Sequence, residues 1–377
     1  MRRTIRQLQA VTFLSSFDRM LIAPVLPLVA ADLGVSVEVA AGAATAYFVG
    51  YGVMQVGWGV VSDRFGRVPT VRLALAIAGV LATASFLVPS FALLVLLRGL
   101  TGAALAAVVP GALVYLGDAV DAARRHGLLT DVMRAMALGT ALAAVVAAVL
   151  GDALGWRAAL ALPGVLALVV VWWTRTMPEP AGVAGGTDRT AFGAVARDGR
   201  ARALLAVAFV EGALMLGVLP LLPALLQVQG MSVTLSGVVV AGYGVGVVVL
   251  ARVVKGMSAR VGPARLMAAG AVMTVASSLV LALDRSGIGV LVAAVLLAGG
   301  WAFFHSTLQN WVTETLPRAR ATMVSLFATA LFVGSAAGTA AASAALGAGA
   351  MTGYLVGAAA VMTVLGAAVV RARLRWR

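Results

Sequence analysis

The chain contains no cysteine, which excludes a disulfide framework and any thiolate metal site. Charge is scarce as well. Only 11% of the residues are Asp, Glu, Lys or Arg, against about 25% in soluble domains, and 62% are hydrophobic, so a soluble globule is excluded. No Gly-Lys-Ser/Thr loop is present to cradle a nucleotide phosphate, which argues against ATP as an energy source. No His-Glu-x-x-His spacing and no set of nucleophile and base supports an enzyme, and no cofactor or metal is expected.

Apolar runs near the roughly 20 residues needed to cross a bilayer recur along the whole length, the first at 9–31 and the last at 350–370. They predict an all-α polytopic membrane protein with twelve transmembrane helices. The basic start followed by an apolar run has the outline of a signal peptide, but the run is too long and carries Asp18, so it reads as the first span. The net charge of +14 invites a nucleic-acid reading, which the placement of the charge rejects. Arg2, Arg3 and Arg6, then Arg64, Arg67 and Arg72, then Arg197, Arg200 and Arg202, and finally Arg371, Arg373, Arg375 and Arg377 all fall on one side of the predicted topology; the opposite loops carry Arg157 and Arg285 alone. That asymmetry places both termini in the cytoplasm of a cell (plasma or inner) membrane. The lipid bilayer is the partner expected from these features, nucleic acid is not, and the expected state is a monomer.

The most polar internal stretch, "RTMPEPAGVAGGTDRTAFGAVARDGR", reads as a flexible cytoplasmic linker over 175–200. It separates an N-terminal six-helix bundle, 1–174, from a C-terminal one, 201–377. The two halves repeat. Asp18 precedes Pro27 as Glu211 precedes Pro220, "AYFVG" at 46–50 matches "GYGVG" at 242–246, "SDRFG" at 62–66 matches "SARVG" at 258–262, and "VLLRG" at 95–99 matches "VLLAG" at 295–299. The interval lengthens along the chain, as small loop insertions produce. Two parallel halves with a site between them near the membrane midplane are a transporter architecture.

The loop "GVVSDRFGR", 59–67, resembles the signature of the major facilitator superfamily position for position, and "RGLTG" at 98–102 and "GWR" at 155–157 are similar to further features of that family. The first span, "FDRMLIAPVLP", is similar to that of its proton-coupled drug and metabolite exporters, although the fifth span lacks the Gly-Pro those exporters carry. The resemblance implies the pseudo-symmetric major facilitator fold, with the first, fourth, seventh and tenth spans lining a central cavity. It also implies export of a small amphipathic organic compound by alternating access. Proton-coupled uptake of a small organic solute and a non-transporting membrane receptor are the other readings.

An ionisable group at mid-membrane costs about 2.5–3.5 kcal/mol on insertion scales, so it faces the bundle interior and finds a partner. Asp18, Arg98, Glu211 and His305 are the candidate proton-coupling residues. Arg98 is the natural partner of Asp18, with Arg19 in competition. A carboxylate close to a guanidinium stays ionised, and one from which it withdraws takes up a proton; a fixed ion pair pinning two helices fits the same residues. Glu211 lacks a repeat-related arginine and meets His305, as a second titrating pair or as a packed histidine. Tyr47, Tyr51, Tyr243, Trp301, Gln309 and Asn310 are candidate substrate contacts, because aromatic and polar groups together suit an amphipathic ligand. In the signature loop, the resemblance gives Gly59, Asp63, Arg64, Gly66 and Arg67 a gating role, latching the cytoplasmic ends of the halves in the outward-open state.

Overall fold

The computed structural model describes the backbone of residues 2–120, 122–180, 189–258 and 260–376, and the side chains of all of these but 122–126 and 189. Twelve helices in it are long and apolar enough to cross a membrane, from Arg2–Leu33 to Met351–Leu374. The first begins several residues before its apolar run, because Thr4, Ile5, Gln7 and Leu8 are buried against the bundle.

Helix starts are set by short polar side chains. Ser36, Ser90, Ser232 and Ser286 each accept a hydrogen bond from the backbone N–H three residues on, which satisfies one of the donors a helix start leaves open. These caps repeat between the halves, and so do the helix breaks. Pro24 and Pro27 break the first span into a 3-10 turn at Ala23–Val25, and Pro220 and Pro223 break the seventh at Leu219–Leu221.

One constant interval relates Pro24 to Pro220, Ser36 to Ser232, Tyr47 to Tyr243 and Ser90 to Ser286. The lengthening interval expected from the sequence is thereby corrected. By this register Glu211 stands opposite Ser15, not Asp18, and Arg98 stands opposite Ala294. The prolines set the register because they start the 3-10 turn in each half. Asp18 lies six residues before its first proline and Glu211 nine, so the two acids occupy depths almost a helical turn apart.

Packing repeats in the same way. The first span packs on the fifth as the seventh does on the eleventh, the second on the fourth as the eighth on the tenth, and the third on the sixth as the ninth on the twelfth. The halves join through the second span against the eleventh and the fifth against the eighth. Glycine makes the closest of these contacts possible: a methyl group at Gly212 would overlap the carbonyl of Leu331, and one at Gly334 that of Phe209.

Hydrogen bonds between the halves, among the described residues, lie at mid-helix or toward the face opposite the termini. Thr329 Oγ1 donates to the Gly52 carbonyl (3.0 Å), Gln227 Nε2 to that of Pro24 (2.9 Å), and the Thr234 N–H to Asp152 Oδ2 (3.1 Å). Residues 181–188 lie outside the described residues, but Arg189–Arg197 forms a helix that buries Ala191 and Val195 at helical spacing.

Candidate functional site

The first span's helix ends at Leu21 ahead of the Pro24 break, so the carbonyl of Asp18 is among the last four, which lack full helical partners. Arg98, from the fourth span, uses it. Its Nη1 donates to Asp18 Oδ1 (3.0 Å) and its Nη2 to the Asp18 carbonyl oxygen (3.1 Å). Both side chains are buried, and the guanidinium lies over the Tyr47 ring at 4.6 Å. The second oxygen of the carboxylate, Asp18 Oδ2, is buried with no hydrogen-bond partner among the described residues.

The structure brings Glu211 and His305 together as well. Nδ1 of His305 lies 3.1 Å from Oε1 of Glu211, which is wholly buried, and Glu211 Oε2 is left without a partner. His305 ends a π-helical turn, Trp301–His305, a rare geometry that concentrates at functional sites. The turn stacks Trp301 on the imidazole with ring centroids 3.7 Å apart, and Phe327 covers it at 5.8 Å.

Arg19 does not take Asp18. It is half-buried and makes no hydrogen bond or ion pair among the described residues; its Nε is buried without a partner. Its guanidinium lies over two rings contributed by different halves, Tyr51 at 5.7 Å and Phe332 at 5.4 Å.

The six candidate substrate contacts do not form one open pocket in this conformation. Tyr47, Tyr51 and Tyr243 are buried, the first two in a stacked layer that continues to Phe332. Trp301 is held by His305. Gln309 and Asn310 are exposed beyond that stack, toward the face that carries the termini, and their side chains make no hydrogen bond among the described residues.

In the signature loop, Gly66 adopts φ +97, a region open to glycine and strained for other residues. Arg67 Nη1 donates to Asp63 Oδ1 (2.5 Å) and to Ser62 Oγ (3.0 Å), and its Nε donates to Asp118 Oδ2 (3.3 Å) at the end of the fourth span. Arg64 is exposed over Phe65, and open space surrounds Gly59. Sequence reasoning missed Glu179, whose carboxylate accepts from the backbone N–H groups of Arg67 (2.5 Å) and Val68 (2.8 Å) and so caps the third span. It also missed Asp118 and Phe332. The signal for Glu179 was weak: an acid in a linker, more than a hundred residues from the helix start that it caps.

Residues 10–339 match the model of the Major Facilitator Superfamily. An uncharacterized MFS-type transporter YybF of Bacillus subtilis is 30% identical over 117 residues, 31% of this chain and 29% of that protein. The 4-hydroxybenzoate transporter PcaK of Pseudomonas aeruginosa is 28% identical over 160 residues, 42% of this chain and 36% of that one. The chain thus spans about a third of the length of these curated relatives. Among solved structures, the nucleoside transporter NupG superposes with a TM-score of 0.80 at 15% identity, covering 99% of this chain and 100% of that one. A bacterial homolog of the human lysosomal transporter Spinster, in an inward-facing and occupied conformation, gives 0.79 at 18% identity, covering 98% and 96%. At such identities the likeness establishes the fold.

Proposed function

Since the chain belongs to the Major Facilitator Superfamily, we propose that this membrane transporter couples protons to the movement of a small amphipathic organic compound by alternating access. The observation that carries the coupling is the pair of half-satisfied acids. Asp18 and Glu211 each commit one oxygen to a buried partner and hold the other, unpartnered, where a proton can bond to it. Movement of the first span against the fourth would withdraw Arg98 from Asp18. The bare carboxylate then lies in a low-dielectric interior, which favours its protonated form. Proton uptake and helix movement become one event.

In this reading residues 1–174 and 201–377 rock about the second-eleventh and fifth-eighth contacts, joined by 175–200. The charge asymmetry supports a cell-membrane protein with both termini on the cytoplasmic side; in that orientation the hydrogen bonds of Gln227 and Asp152 seal the outer side. Asp63, Arg64 and Arg67, with Gly59 and Gly66 giving the loop its shape, would seal the inner side in the opposite state.

Resemblance of the first span to exporters supports outward transport in exchange for protons. A second reading, uptake together with a proton, is favoured by Arg19, a central cation with no acid paired to it among the described residues. An anion and a proton entering one chamber relieve each other's charge. The name of the 4-hydroxybenzoate relatives also fits a small organic acid. Transport into everted and right-side-out vesicles, with and without a pH gradient, tests both. Accumulation that follows the gradient in one orientation sets the direction, and indifference to the gradient rejects the coupling.

A further inference from the structure

Charge accounting at the centre of the molecule leaves one residue over. Asp18 is matched by Arg98, and Glu211 is held by His305. Arg19 has neither an ion pair nor a hydrogen bond among the described residues. It lies about 21–26 Å from the ends of the Arg2–Leu33 span at ~1.5 Å per residue, too deep for its side chain to reach a lipid headgroup. A cation at that depth without a counter-charge is costly, and such residues mark substrate pathways.

Its surroundings specify the missing partner. The guanidinium lies over Tyr51 from the second span and Phe332 from the eleventh, whose ring centroids are 4.4 Å apart, and Phe48 stacks on Phe332 at 6.2 Å. One fixed positive fork is therefore set into aromatic walls drawn from both halves. A planar fork matches a carboxylate with two parallel hydrogen bonds, and flat walls suit a flat apolar body.

We infer that Arg19 binds the carboxylate of the transported compound, which is a small organic acid with a flat apolar body. The inference rests on the reading of this centre as the substrate site and holds for either direction of transport. Because Arg19 touches rings of both halves, an acid bound there would be held at the seam that alternating access opens and closes.

The test is calorimetric titration of the purified full chain in nanodiscs with matched pairs of aromatic acids and their amides, benzoate with benzamide and phenylacetate with phenylacetamide, alongside benzylamine and inorganic phosphate. At least one acid should bind ~10-fold or more tightly than its amide, as a charge-assisted pair warrants. Benzylamine and phosphate should bind more weakly than that acid. Arg19→Gln should erase the preference by weakening the acid far more than the amide, and Arg19→Lys should keep part of it. The inference is overturned if no acid outbinds its amide, if phosphate or benzylamine binds as tightly, or if Arg19→Gln retains the preference. The wild-type comparison decides even where a variant does not fold. An acid preference without any response of transport to a pH gradient would leave Arg19 assigned and remove the coupling; gradient-driven transport of amides or amines alone would do the reverse.

Discussion

His305 Nδ1 lies 3.1 Å from Glu211 Oε1, with Trp301 stacked flat on the imidazole. The carboxylate is wholly buried, so whatever the ring contributes cannot be replaced by water. Glu211→Gln retains a group that bonds to the imidazole and should leave thermal unfolding in detergent close to wild type. His305→Ala strands the carboxylate and should cost about 1.5–3 kcal/mol, the range for a hydrogen bond to a charged group. Equal stability of the two variants would mean that the contact contributes nothing to the fold.

Glu179 caps the start of the third span with both carboxylate oxygens, while the Tyr115 hydroxyl holds the carbonyl of Pro178. The linker's first residues thus belong with the first half. Removing a cap costs about 0.5–2 kcal/mol. Glu179→Ala should lower the unfolding temperature by that measure and speed proteolysis between 175 and 188, with substrate affinity unchanged. An unaltered cleavage rate would show that the cap does not restrain the linker.

A methyl group at Gly59 meets nothing in this conformation, whereas one at Gly212 overlaps the Leu331 carbonyl. Gly212→Ala should therefore reduce the yield of folded protein, since the seventh and eleventh spans can no longer meet. Gly59→Ala should fold and bind normally yet transport more slowly, because in the proposed gating role the opposite state would close a helix over that surface. Slow transport should follow Asp63→Ala too. Transport at wild-type rate in Gly59→Ala would remove Gly59 from the gate.

Much of this was legible in the sequence, and the reasons are physical. Apolar run length gives the spans, and a charge at mid-span has few partners, which narrowed Asp18 to Arg98 or Arg19. What decided between them was the helix end at Leu21, which frees the Asp18 carbonyl for a second bond to Arg98. The repeat is legible, but its acids suggest the wrong register, since Asp18 stands before Pro27 as Glu211 stands before Pro220 whereas the 3-10 turns pair Pro24 with Pro220. The prolines govern backbone geometry; an acid can move a turn and still face the same cavity. Glu179 and Phe332 were invisible for another reason. Their roles depend on contacts across very long sequence separations that no local pattern encodes.

Asp18→Asn keeps the size of the side chain and a hydrogen bond to Arg98 but cannot exchange a proton. Reconstituted into liposomes, the wild type should concentrate substrate in response to an imposed pH gradient and also catalyse counterflow exchange at equal pH. Asp18→Asn should lose gradient-driven accumulation and keep counterflow, and Asp18→Glu should regain part of the accumulation. Accumulation at wild-type level in Asp18→Asn would contradict proton coupling through the Asp18–Arg98 pair and leave Glu211 as the acid to test.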